Sequence, residues 1–137
     1  MTREVLDTLL AQIRAERELT LSALSDVDES EFPVITPMER WTDVRRVLLR
    51  FGDHMREHAN QIEGTRECIG RNVSMPQRIL GEGEVAWGKL LAATIDLDDE
   101  DIGTPPPGGG WSIKQVLEHI LVVERGYREV IVRVRDK

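Results

Sequence analysis

His54 and His58 stand four residues apart in Asp53-His54-Met55-Arg56-Glu57-His58-Ala59-Asn60-Gln61-Ile62, and they are two of only three histidines in the sequence. On a helix this spacing stacks both imidazoles on one face, a turn apart. The apolar stripe Val44, Val47, Leu48, Phe51, Met55 and Ile62 includes their positions, so both rings are expected to look into a core. Neutral imidazole is a ligand for Zn²⁺ and also suits Ni²⁺, Fe²⁺ and Cu²⁺. The third histidine, His119, follows Val116 by three residues and precedes Val123 by four, at the edge of another stripe. The expectation is that His54, His58 and His119 converge on one divalent metal ion, with positions left open for water or substrate. The alternative is a metal-free helical protein whose histidines hydrogen-bond one another or water.

Metal-bound imidazoles usually donate their second ring nitrogen to an acceptor, and Asp53, Glu57, Glu118 and Glu124 are the candidates for that role, each also readable as a solvated charge. Tyr127 continues the stripe from Ile120 and Val123 and is expected to line the cavity. Competing chemistries lack their residues. No histidine has a glutamate three positions before it, as a di-iron bundle requires, and His-Glu-x-x-His is absent. The single Cys68 excludes an internal disulfide and reads as a spectator thiol.

Helices must position these groups. Leu6, Leu9, Leu10, Ile13, Leu21 and Leu24 recur at helical spacing without Pro or Gly between them, which predicts a helix over 3–24. The acidic stretch 26–31 and the Pro33 to Pro37 segment read as a connection. Thr42 is the expected N-cap of a second helix over 43–68, which carries the histidine pair. Pro76 suits the first turn of a third helix over 77–95, although Gly81, Gly83 and Gly88 make its early part suspect and only Glu84 to Ile95 secure. Asp96 to Gly110 is an acidic and then Pro/Gly-rich connection. Ser112 with Gln115 forms a capping box for a last helix over 112–135.

The two halves repeat with an offset of 70 residues. Asp28 falls on Asp98, Trp41 on Trp111 and Thr42 on Ser112; past the tryptophans the register slips by one, so that Val44, Val47, Leu48 and Phe51 meet Ile113, Val116, Leu117 and Ile120. A lone amphipathic hairpin cannot cover its own apolar face. The reading is therefore all-α: a single domain, 1–137, in which hairpins 1–68 and 71–137 pack about an approximate two-fold as a four-helix bundle.

The 18 basic and 25 acidic side chains leave a net charge of −7, and no basic cluster is interleaved with aromatics, which argues against nucleic acid as a partner. No apolar run reaches the roughly 20 residues of a membrane span, and the N-terminus lacks a signal-like apolar stretch. A cytoplasmic location with no membrane partner is expected.

Trp111-Ser112-Ile113-Lys114-Gln115-Val116-Leu117-Glu118-His119-Ile120, with Glu124 and Tyr127 after it, resembles one hallmark of the DinB-like superfamily, and His54 to Ile62 is similar to the other. The resemblance covers nearly the whole chain and implies a four-helix bundle with a long connection between helices 2 and 3. It implies a divalent metal, usually nickel or zinc, on three side chains, and homodimers that meet through helix faces. It also implies a small-molecule substrate, with activities that include transfer of a low-molecular-weight thiol. Glu124 and Tyr127 are then the candidate catalytic proton carriers. In the family the Trp-Ser…His segment comes first and the His-x-x-x-His segment second; here the order is reversed, and Leu49 and Arg50 stand where the first half would carry its histidine. A metal-dependent hydrolase, or a non-catalytic bundle that holds a metal or ligand or only dimerises, fits the same residues.

Overall fold

The computed structural model describes residues 2–136. These form α1 (Glu4–Leu24), a 3-10 turn (Glu29–Glu31), α2 (Val44–Cys68), α3 (Met75–Ala93), α4 (Asp99–Gly103) and α5 (Ile113–Arg135). The chain is all-α with four long helices, the complement of a four-helix bundle. Among the described residues the only β pairing is an isolated bridge between Ile35 and Asp43. No helix there is long and apolar enough to cross a membrane.

Local chemistry explains where each helix starts and stops. The cap of α2 is Asp43, whose carboxylate accepts from the Arg46 amide, rather than Thr42. An ionised carboxylate at a helix N-terminus satisfies an orphan N–H and complements the dipole, which a threonine hydroxyl does less well. At the other end Gly70 takes φ +73 and the Arg71 amide donates to the Arg66 carbonyl, a Schellman-type stop. Ser74 caps α3 and Pro76 lies in its first turn, and the helix is regular from Met75 through all three glycines. A firm start thus offsets the suspect composition of its first half.

The connections are more ordered than their composition suggests. Asp28 and Asp98 each form a complete capping box, with Glu31 and Asp101 respectively, and so start the short 3-10 turn and α4 inside the two acidic stretches. The Asp28 carboxyl is held below its ordinary range, first by the hydrogen bond from the Ser30 hydroxyl and then by the Ser30 amide. Ser112 and Gln115 form the expected box at the start of α5, and Ser112 is the one buried polar residue described, at 8% exposure.

Two compact units divide at Ile95/Asp96. In Met1–Ile95, α1, α2 and α3 present apolar stripes that other helices of the unit do not cover, and no described hydrophobic side chain of the chain is buried. In Asp96–Lys137, α4 lies against α5.

Candidate metal centre

Helix α2 brings His54 and His58 together as the i, i+4 spacing requires. Their Nε2 atoms lie 3.1 Å apart, with ring centroids 4.4 Å apart and the planes at 75°. Gln61, one turn further, fixes the second ring: its Oε1 is 2.7 Å from His58 Nδ1. A carbonyl oxygen only accepts, so Nδ1 of His58 carries the proton and its Nε2 accepts from the Nε2–H of His54, which gives up that proton when the pair holds a metal. For His58 that is the tautomer a metal ligand needs, and an acceptor on the far nitrogen is the usual way proteins select it.

The donor set can be tested against a metal by its own spacing. Two nitrogens about 2.0–2.1 Å from one tetrahedral ion are roughly 3.3 Å apart. The observed 3.1 Å fits, so the pair suits two adjacent positions of one coordination sphere without rearranging the helix. Among the described residues, three or more His, Cys, Asp or Glu side chains do not gather around one point within either unit. Helix α2 therefore supplies two imidazoles and no third ligand.

The rings do not look into a core. His54 and His58 are exposed, as are Phe51, Met55 and Ile62 along the same stripe, because no helix of this unit lies over that face of α2. Three of the four acidic candidates for orienting the rings are engaged elsewhere. Asp53 accepts from Arg56 at 3.2 Å, and Glu118 pairs with Lys114 at 4.0 Å. Glu57 is held by Arg50, whose Nη1 donates to its Oε1 at 2.9 Å. That bond, first, holds the Glu57 carboxyl below its ordinary range against a smaller opposing effect of desolvation, and the Arg50, His54 and His58 charges add to it. It also raises the affinity of the Arg50 guanidinium for its proton.

Arg50 has a second contact, with its guanidinium carbon 4.6 Å from the centre of the Trp41 ring. In the other unit His119 lies edge-on to Trp111, ring centroids 5.0 Å apart at 63°. The one-residue register slip past the tryptophans makes Arg50 the counterpart of His119, so an arginine takes the place on the first tryptophan that a histidine takes on the second. Glu124 and Tyr127 lie on α5, both exposed, Tyr127 at 69%. A shallow pocket of about 350 Å³ lined by Asp101, Pro106, Trp111 and Ile113 opens beside α4.

The group that bonds an imidazole of the pair is an amide, Gln61, and not one of the carboxylates expected from the sequence. Its position three residues after His58, on the same face, was the available signal.

Residues 82–136 match the family model of the DinB superfamily, a stretch that takes in most of α3, all of α4 and α5, and the Trp111 to Tyr127 segment. No curated protein and no solved structure matches the chain. The chain is thus similar to the DinB superfamily over residues 82–136, the part that holds His119, Glu124 and Tyr127.

Proposed function

We propose that the chain binds a divalent metal ion, zinc or nickel, through the Nε2 atoms of His54 and His58. The observation that carries this reading is their 3.1 Å separation, with Gln61 holding the His58 proton on Nδ1. Two neighbouring nitrogens on one helix, that of His58 held in the ligand tautomer by Gln61 and that of His54 free to exchange its proton to Nδ1, lose little entropy when an ion binds. Arg50 contributes indirectly: by holding Glu57 it keeps that carboxylate from competing for the imidazoles. The bound ion would supply Lewis acidity, lowering the pKa of a thiol or a water.

The DinB likeness directs the choice of chemistry to transfer of a low-molecular-weight thiol onto a small electrophile, with Glu124 and Tyr127 proposed as proton carriers. One observation favours a second reading, in which the metal is bound without turnover: Glu57, the carboxylate nearest in sequence to His58, is tied to Arg50, leaving no free acid or base beside the pair on α2.

Elemental analysis of tag-free protein purified beside His58→Ala tests the site. Stoichiometric metal in the wild type and loss in the variant are expected; equal content in both overturns it. His119→Ala decides whether the third histidine or solvent takes the next position. Conjugation of cytosolic thiols to monochlorobimane then separates the two readings. Turnover that falls to background in His58→Ala supports transfer, and metal-dependent thermal stabilisation without turnover supports binding alone.

A further inference from the structure

Between the end of α2 and the start of α3 lies a cleft of about 810 Å³, a volume within the roughly 300–1,000 Å³ of small-molecule sites. Its corner is built locally: Gly70 turns the chain at φ +73, Arg66 Nε donates to the Arg71 carbonyl at 3.1 Å, and Ser74 starts α3. The whole lining falls within residues 60–85, so the cleft lies inside one unit. It also lies on the polar side of both helices. On α2, Glu63, Gly64 and Glu67 fall on the side away from Phe51, Met55 and Ile62; on α3, Arg78, Gly81 and Glu82 fall away from Leu80, Trp87 and Leu91. An element that covers the apolar stripes therefore leaves this cleft open.

Three glutamates, Glu63, Glu67 and Glu82, and three arginines, Arg66, Arg71 and Arg78, line it, so the lining balances in a chain that carries −7. None of the six enters an ion pair among the described residues. Arg66 is half-buried and held through Nε alone, which leaves its two Nη groups free to donate. The arginines follow the corner from the last turn of α2 through the link into the start of α3, and Glu63 and Glu82 stand three and four residues farther out, one on each helix. A lone anion entering here meets the carboxylates, and a lone cation meets the guanidiniums. A molecule with one carboxylate and one ammonium satisfies both, the carboxylate through paired N–H donors of a guanidinium. Being neutral overall, it is not repelled by the net charge of the chain. Room is left for it: a Cβ built on Gly64 or Gly81 meets nothing within 4 Å, so no contact of the protein requires glycine at either wall, where glycine costs helix stability against alanine.

We propose that the α2–α3 cleft binds a small zwitterion, an α-amino acid or a short peptide, with its carboxylate on the arginines of the corner and its ammonium on the glutamates of the two walls. Neither His54 nor His58 lines the cleft, so the site is separate from the metal pair and does not depend on it.

The test is a ¹⁵N-correlated NMR titration of the full-length wild type with L-alanine and, separately, with glycylglycine, at constant pH and ionic strength. Saturable shifts of the Gly64, Asn72 and Gly81 amides are expected with a Kd below about 1 mM for at least one probe, and the two arms tell amino acid from peptide. The N-acetylated form of each probe lacks the ammonium and the amidated form lacks the carboxylate; each is expected to bind at least about tenfold more weakly. Arg71→Gln and Glu63→Gln are expected to weaken binding by a similar factor with an unchanged thermal melt, and Gly64→Leu, which fills the cleft, to abolish it. The blocked probes test recognition of both charges on the wild type itself, whatever the folding of a variant. No saturable shift up to about 20 mM of either probe, some twentyfold above that Kd, would overturn the proposal. So would blocked probes that bind as tightly, folded variants that bind like the wild type, or shifts of these amides with inorganic phosphate and not with the zwitterions.

Discussion

Replacing Gln61 with leucine isolates the feature of α2 that most resembles a built site. Leucine keeps the size of the side chain and its helix propensity but removes the acceptor 2.7 Å from His58 Nδ1. The His58 ring is then free to rotate and to exchange tautomers, so part of its population no longer directs a lone pair at the point shared with His54. Loss of such an outer acceptor typically weakens metal binding about 10- to 100-fold, or about 1.4–2.7 kcal/mol. The helix should be unaffected, because Gln61 is exposed and its main-chain bonds remain. The assay is a competition titration of Zn²⁺ against a chromophoric chelator for wild type, Gln61→Leu, Gln61→Glu and His58→Ala at constant pH. Gln61→Glu keeps an acceptor and should bind at least as tightly as wild type, while His58→Ala should fall to background. If Gln61→Leu matched wild type while His58→Ala lost the metal, the orienting role would be refuted. If all four bound equally, the 3.1 Å pair would be only two imidazoles sharing a hydrogen bond.

Other consequences follow from single contacts. Because Arg50 holds Glu57 ionised, the Glu57 midpoint in a carbon-detected NMR titration should lie below that of an ordinary glutamate and rise toward it in Arg50→Ala. The sign is that of a depressed carboxylate: its contribution is present above the unfolded pKa and is lost as the pH falls through the folded value. Glu57 is exposed, so this surface pair should change global stability little at neutral pH. Ser112→Ala removes the cap of α5 at the one buried polar position and should cost about 1 kcal/mol in denaturant unfolding. Two glycine substitutions should have opposite signs. Gly83→Ala lies inside α3 with open space around its Cβ and should stabilise by about 0.5–1 kcal/mol. Gly109→Ala also meets no neighbour but sits at φ +94, so the backbone alone should make it destabilising by about 1–2 kcal/mol, read from the same unfolding curves.

What the chain fixes by itself is local. Four long helices were legible because their apolar residues recur with the helical period and their ends carry Pro76, Ser112 with Gln115 and Gly70, all of which act within a turn. The His54–His58 pairing was legible for the same reason, since i and i+4 meet on any helix whatever surrounds it. The short helices after Asp28 and Asp98 were written in the same alphabet and were obscured by the acidity of their segments. Periodicity identifies a face that wants cover but is silent on what covers it. The stripes of α1, α2 and α3 were expected to close on a core, yet Phe51, Met55 and Ile62 stand exposed around the histidine pair. The structure also decided which polar groups found each other: Arg50 took Glu57 and Trp41, and Gln61 rather than Glu57 is the acceptor at His58. These choices depend on rotamers, competing partners and what lies above a helix face, and none of those is set by residue spacing alone.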